Sequence, residues 1–219
     1  MPFIFIIFIG VVLWFMMFVL FLKLREPVKK RPFTSPTPEP LAASTAQNDY
    51  IYSCKYLRGL GLLPEGTTPP MPNHRPRHDD AEPTGINFFR TVLADVTLDD
   101  LTLSRTYFGR SEIKNVSFCR TDLAQSTLCW NDFFQVSFAH ANLSFSDLRA
   151  SSYINVSFQN ANLKNCDLRR SSFQNCDFED AKMGGAILTR AQHSEIKLSD
   201  EQVKAIAWTD DDGPEAEGG

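Results

Sequence analysis

A five-residue repeat constrains the fold of this chain more than any other feature. From Ile86 to Arg190 the sequence divides into 21 consecutive blocks of five residues with no insertion. The third residue of every block is large (Leu, Phe, Ile, Tyr or Met), the first is mostly small, and the second is often Asn, Asp, Ser or Thr. A period of five fits neither an amphipathic helix nor a plain strand, so the blocks predict a solenoid whose first and third residues point inward.

The blocks resemble the unit of the pentapeptide-repeat family, which is usually written A-(D/N)-L-x-x. The resemblance covers 105 of the 219 residues, and it implies an all-β fold, a right-handed quadrilateral β-helix with four blocks in each turn. Four sides predict a 20-residue repeat, and the tripeptide VSF does recur at 116–118, 136–138 and 156–158. Two adjacent sides then stack aromatic residues and two stack mainly Leu, and about five coils form a rod on the order of 25 Å long.

The open ends of such a rod need covering. At the carboxyl end the five-residue frame fails at His193, which occupies a predicted core position. Ser199 and Gln202 form a capping-box pattern, which predicts a short helix that runs to about Trp208 and lids the last coil, within a cap at 191–208. In some members of the family a terminal helix dimerises instead, so a homo-oligomer through this helix is the open alternative.

A membrane span is predicted at the amino terminus. Residues 3–22 are all apolar or Gly, and 20 residues of helix reach about 30 Å, the thickness of a bilayer core. A cleaved signal peptide fits less well, because there is no basic segment ahead of the run and no small-residue cleavage site after it. The basic residues all follow the span: Lys23, Arg25, Lys29, Lys30 and Arg31. The positive-inside rule therefore predicts a single-pass protein of the bacterial inner membrane with its carboxyl-terminal domain in the cytoplasm.

Residues 23–85 are predicted to be a Pro-rich linker. Its apolar segment near 50–63 is compatible with a helical turn or two, docked on the domain or the membrane surface. The favoured interpretation is that this segment has only a structural role. His74 and His78 have the spacing of zinc-binding histidines on a helix, but Pro76 lies between them, so a solvated linker is the preferred interpretation. The acidic, Gly-rich tail at 209–219 is predicted to be disordered.

The sequence contains no recognisable catalytic constellation. It lacks a Gly-rich phosphate loop and the G-x-S-x-G and H-E-x-x-H motifs, so no enzyme activity, cofactor or metal is predicted. The Asp residues fall mainly at second positions of blocks, where they can hold turns by hydrogen bonds. Five cysteines and a net charge of -4 argue against a disulfide scaffold and a strongly basic nucleic-acid binder. Cys119 and Cys129 are expected to face outward, and the three N-x-S sequons in the repeats are interpreted as unused.

Outward positions of the rod hold the candidate functional residues, because aromatic and Arg side chains on a rigid face are typical of protein interfaces. The predicted interaction surface consists of Trp130, Phe134, Phe145, Ile154, Arg149, Arg169 and Arg170. The alternative is that these are scattered exposed residues without a function. The rod has 11 basic and 11 acidic residues, and they are polarised across its width: acids gather on the side of Leu98 and arginines on the opposite side.

Three functions are compatible with these features. The favoured one is a membrane-anchored, non-enzymatic scaffold that presents the rod to an unknown protein partner at the cytoplasmic face. An immunity or secreted-effector protein of a bacterial toxin or secretion system is the alternative. A DNA mimic that protects topoisomerases is known among pentapeptide-repeat proteins, but it needs a strongly acidic rod, and this rod has no net charge.

Overall fold

The structure of this chain is a computed structural model, which describes residues 44–66, 68–77 and 84–210. All of the described residues belong to one compact unit. The predicted membrane span at 3–22 and most of the predicted acidic tail lie outside the described residues. Among the described residues, no helix is both long and apolar enough to cross a bilayer.

Residues 86–190 form a four-sided β-helix in which four consecutive blocks complete each turn. One side is a five-stranded parallel sheet of β1 (Val92–Ala94), β2 (Glu112–Lys114), β3 (Asp132–Phe134), β4 (Ser152–Ile154) and β5 (Ser172–Gln174). The register places Leu93 opposite Ile113, and every later pair has the same offset of one turn. The other three sides are held by parallel bridges with the same step, such as Asn87 to Tyr107, Thr97 to Ser117 and Thr102 to Asp122. The predicted all-β solenoid is confirmed.

The first and third residues of the blocks fill the interior, as the block pattern predicts. The large third residues are almost completely buried from Phe88 to Leu188. Hydroxyls at the first position cross-link successive turns. Ser146 Oγ donates to the Leu123 carbonyl at 2.9 Å, and Ser171 Oγ donates to the Leu148 carbonyl at 2.8 Å. A small polar residue is therefore tolerated inside because its hydroxyl has a carbonyl acceptor in the turn below.

Aromatic rings stack along two adjacent sides of the coil. Phe118, Phe138, Phe158 and Phe178 form one column with ring centroids 4.9–5.4 Å apart. Phe133, Tyr153 and Phe173 form the second, at 4.9 and 5.3 Å. Edge-to-face contacts of 5.6 Å join the two columns within each turn. Since offset and edge-to-face geometries are the favoured ones, the columns stiffen these two sides.

The amino-terminal end of the coil is covered by a helix, α1 (Ser44–Gly59). Tyr50, Cys54 and Leu57 are fully buried against the core. Ser53 Oγ accepts a 2.8 Å hydrogen bond from the Thr102 N–H, and Tyr56 donates to the Thr97 carbonyl at 3.0 Å. These two backbone groups belong to the first turn, which has no turn below it, so α1 supplies the partners that another turn would provide. The apolar segment expected to form a turn or two is thus a 16-residue capping helix.

The carboxyl-terminal end is covered by a final turn of the coil. This turn is a strand at its beginning and at its end, and it is partly helical in between. β6 (Ile187–Thr189) leads into a 3-10 helix (Arg190–Ser194) and α2 (Asp200–Ala205), and β7 (Ala207–Thr209) then pairs with β6 in parallel. The register places Ile187 opposite Ala207, which preserves the offset of the repeat turns. From Asn87 to Ala207 the coil therefore completes six turns, the last of them closed by the cap.

Two glutamine side chains seal the last repeat turn. Gln192 Nε2 donates to the carbonyls of Leu168 and Ser171 at 2.8 and 2.7 Å. Gln202 Nε2 donates to the carbonyls of Phe178 and Ala181 at 2.7 and 3.0 Å. These side-chain amides replace the donors of a further turn, so the terminal carbonyls are not left without hydrogen bonds.

Two details of the predicted cap were wrong. His193 does not occupy the core: it is exposed, with its ring edge-to-face on Trp208 at 5.1 Å, while its neighbour Gln192 is buried. The 3-10 helix shifts the inward position by one residue. The predicted capping box forms at Ser199, but α2 ends at Ala205 and not near Trp208, because Trp208 lies on β7.

Candidate interaction surface

Two of the seven predicted surface residues are neighbours, and a third lies at the start of the same side of the coil. Phe134 and Ile154 are paired in register on β3 and β4, and Trp130 lies at the corner just before β3. Trp130 is 40% exposed and Phe134 is 39% exposed, while Ile154 is half-buried. We call Trp130, Phe134 and Ile154 the apolar patch. The strands of Phe134 and Ile154 also carry the stacked rings of Phe133 and Tyr153, which point into the coil.

Phe145 is separated from the apolar patch. It is 52% exposed, but it lies at the corner on the far side of the arginine-bearing face, one side of the coil away from Trp130. Its carbonyl accepts a 3.3 Å hydrogen bond from Arg75 Nη1. The structure therefore does not bring Phe145 into one surface with the other aromatic residues.

Arg149 and Arg169 are committed to ion pairs within the coil. Arg149 binds Asp147 through Nε and Nη2 at 2.8 and 2.7 Å, and Arg169 binds Asp167 in the same way at 3.0 and 2.7 Å. Arg149 Nε is also 3.7 Å from Asp167, and both arginine side chains are only 16% exposed. The hydrogen bond to Asp147 raises the pKa of Arg149 further above its ordinary value. Bidentate pairs of this kind fix the face and leave little charge for a partner.

The same arginine-bearing face is partly covered by a segment that sequence reasoning missed. Residues 68–77, which we call the strap, run along it with Pro72 and Pro76 buried. The Pro72 carbonyl accepts from Arg105 Nη1 at 2.9 Å, and the Pro76 carbonyl accepts from Thr127 Oγ1. The prediction of a solvated linker is wrong for these residues, since the strap is docked on the coil.

Cys129 lies on the face that the strap partly covers. This thiol occupies an outward block position but is only 2% exposed. Burial raises its pKa to about 12, and the charge of Arg75 on the strap is close enough to oppose the shift. Cys119 at the equivalent position of another side remains partly exposed. Cys129 is thus outward-facing with respect to the coil but buried in the protein.

The described residues contain little that could perform chemistry. Across residues 44–66, 68–77 and 84–210, no group of three or more His, Cys, Asp or Glu is placed to hold a metal ion. His74 is exposed, and His78 lies outside the described residues. A groove of about 650 Å³ beside α2 is open, and its charged lining mixes lysines with carboxylates, for example Lys164 and Lys182 with Asp177 and Glu179. Its carboxylates and lysines offer no nucleophile paired with a base.

A comparison with protein families agrees with the fold. Residues 154–190 match the family model of pentapeptide repeats, in eight copies. This stretch of the coil is therefore similar to pentapeptide repeats. No curated protein matches the chain significantly.

Solved pentapeptide-repeat structures resemble the chain at low identity. HetL, a pentapeptide-repeat protein involved in heterocyst differentiation regulation from the cyanobacterium Nostoc, is 19% identical with a TM-score of 0.34, and the match covers 48% of this chain and 52% of HetL. Rfr23 from the cyanobacterium Cyanothece is 15% identical with a TM-score of 0.37, over 44% of this chain and 83% of Rfr23. QnrB1, a plasmid-mediated fluoroquinolone resistance protein, is 18% identical with a TM-score of 0.30, over 58% of this chain and 67% of QnrB1. The chain thus spans about half the length of HetL, and at this similarity the roles of these proteins do not transfer to it.

Proposed function

We propose that this pentapeptide-repeat protein is a membrane-anchored, non-enzymatic scaffold that holds a protein partner on its β-helical rod. The observation that carries the proposal is the apolar patch, in which Trp130 and Phe134 are exposed and Ile154 is half-buried. Exposed aromatic residues grouped on a rigid face are the usual centre of a protein interface.

The geometry of the apolar patch favours binding. Phe134 and Ile154 are neighbours on adjacent turns, and the strands that carry them are paired on both sides by β2 and β5. Their backbone therefore loses little conformational freedom when a partner binds, which reduces the entropic cost of association.

Anchoring rests on the sequence. The apolar run at 3–22 and the basic residues that follow it support a single-pass span with the repeat domain in the cytoplasm. The anchor is tested by fractionating cells that make the full chain or a form lacking residues 1–40. The full chain should require detergent for release, and protease added outside intact cells should leave the repeat domain uncut. Cleavage of that domain from outside would reverse the topology.

The scaffold function is tested by affinity purification from detergent-solubilised membranes. Phe134→Asp places a charge in the centre of the apolar patch and should abolish recovery of a partner that the wild-type chain retains. Phe145→Asp is the matched control, because it makes the same change at a Phe that is even more exposed and lies at a different corner. Equal recovery with wild type and Phe134→Asp would rule out the apolar patch as the binding site.

A further inference from the structure

The strap is held in a groove along one corner of the coil. Three side-chain donors of the coil and its cap bind three proline carbonyls of the strap: Tyr50 binds Pro70 at 3.4 Å, Arg105 binds Pro72 at 2.9 Å, and Thr127 binds Pro76. We call the surface formed by Tyr50, Arg105 and Thr127 the strap groove. It begins at α1, and it follows the coil from the first turn into a later one.

The donors of the strap groove match the chemistry of a proline-rich chain. Proline has no N–H, so such a chain offers carbonyl acceptors and ring surface to the groove. Pro72 and Pro76 are the two buried residues of the strap, and the three residues between them are exposed. Proline-rich segments are common ligands of proteins, because their restricted backbone loses little entropy on binding. The strap is thus an internal ligand that shows which chemistry the groove accepts.

The groove residues of the coil are held in place without the strap. The Thr127 N–H donates to the Thr106 carbonyl of the preceding turn at 3.0 Å, and Arg105 Nε donates to Gln125 Oε1 at 2.8 Å. Residues 68–77 contain no strand that continues a side of the coil. Release of the strap would expose the donors of Arg105 and Thr127 to water, which can bind them. The coil can therefore persist while the groove exchanges its occupant.

We propose that the strap groove is a binding site for a proline-rich segment of another protein, which replaces the strap. This goes beyond the proposed scaffold function, because the groove lies at the corner of Arg105 and not on the strands of the apolar patch. A segment joined to its site by a short linker competes at an effective concentration that is roughly millimolar. The strap therefore lowers the apparent affinity of the groove for any other segment, and a chain whose strap is displaced should bind such a segment more tightly.

The test is a titration of the full chain in detergent with a fluorescent peptide of residues 68–77, followed by fluorescence polarisation. In Gly85→Ala the new Cβ would lie 2.5 Å from Pro72 Cγ and displace the strap, so this variant should bind the peptide at least tenfold more tightly than wild type. Pro72→Gly with Pro76→Gly, which removes both buried rings from the strap, should have the same effect. A peptide in which these two prolines are Ala should bind the opened chains at least tenfold more weakly.

Substitutions in the groove test whether the peptide binds there. Arg105→Ala with Thr127→Val, added to Gly85→Ala, removes two donors and should lower the peptide affinity at least tenfold. The coil accepts Ala at this block position, since Ala150 occupies it with φ 52°. Arg120→Ala with Thr97→Val is the matched control: it makes the same two changes at exposed residues outside the groove and should leave the affinity unchanged.

Three results would overturn the proposal: no peptide binding by either opened chain, equal binding of the Ala-substituted peptide, or equal losses in the two sets of variants. A Gly85→Ala chain that becomes a dimer would overturn it as well, because the strap of a second copy would then be the occupant. Phe134→Asp, added to Gly85→Ala, should leave peptide binding unchanged. A failure of the groove is thereby distinguished from a failure of the apolar patch.

Discussion

The last residue of each block adopts a backbone conformation that is unusual for its type. Nineteen described non-glycine residues, from Arg90 to Asp180 at steps of five, have φ between 52° and 61°. For an L-residue this left-handed conformation costs roughly 1–2 kcal/mol, and only Gly adopts it without strain. Every corner adopts this conformation despite its energetic cost, because it turns the chain from one side of the coil to the next. Asn and Asp recur there, and both tolerate the conformation better than most residues.

This strain predicts a stabilising glycine. Ala150 has φ 52°, so Ala150→Gly should raise the free energy of unfolding by about 0.5–1 kcal/mol once the greater freedom of Gly in the unfolded chain is subtracted. Urea unfolding followed by circular dichroism measures the change. Ala139→Gly is the control, since Ala139 is not among the residues with positive φ and should lose about 0.5–1 kcal/mol. Loss of stability in both variants would show that the corners are not strained.

The contribution of the strap to the burial of Cys129 can be tested with a single substitution. Gly85 has φ 91°, and a Cβ at this position would lie 2.5 Å from Pro72 Cγ. We expect Gly85→Ala to displace the strap and to weaken the bonds that join it to Arg105 and Thr127. The thiol of Cys129 should then react faster with a thiol reagent under native conditions, by an order of magnitude or more.

Gly59→Ala provides the control for this experiment. Gly59 is the last residue of α1, and a Cβ there has no neighbour within 4 Å, so the reactivity of Cys129 should stay as in wild type. Cys119, which is partly exposed already, reports on labelling efficiency in all samples. Unchanged reactivity of Cys129 in Gly85→Ala would mean that the coil itself buries the thiol.

The elements differ in how far the sequence predicts them. The sides of the coil follow from the block pattern, because each inward residue is specified within its own five residues. The strap has no such signal in the sequence. Its hydrogen bonds join residues that are far apart in the chain: Arg105 and Pro72 are 33 positions apart, and Arg75 and Phe145 are 70 positions apart. The ion pairs of Arg149 and Arg169 could have been predicted from the sequence, since an Asp lies two residues before each of them. That spacing brings the two side chains together on one side of the coil.

At the scale of the whole molecule, several acidic groups lie in an interior that disfavours their charged forms. Burial raises the pKa of Cys129 to about 12, from an ordinary value of 9.0, and it also raises the pKa of Cys166 and of Tyr153. A raised folded-state pKa means that the folded protein holds its proton more tightly than the unfolded chain does. The stability linked to these groups is therefore fully present below about pH 9 and is lost as the pH rises toward 12.

The free energy of unfolding should consequently fall steeply between pH 9 and pH 11. Cys129 alone should account for about 2.7 kcal/mol of the loss at pH 11, because each pH unit above the unfolded pKa favours the unfolded thiolate by about 1.4 kcal/mol. Urea unfolding at pH 8, 9, 10 and 11 measures this slope for wild type and for Cys129→Ala. Lysine titration affects both proteins alike and cancels in the difference, so the Cys129→Ala curve should be flatter by that amount. Parallel curves would mean that Cys129 ionises as readily in the folded protein as in the unfolded chain, and that neither the coil nor the strap shields it from water.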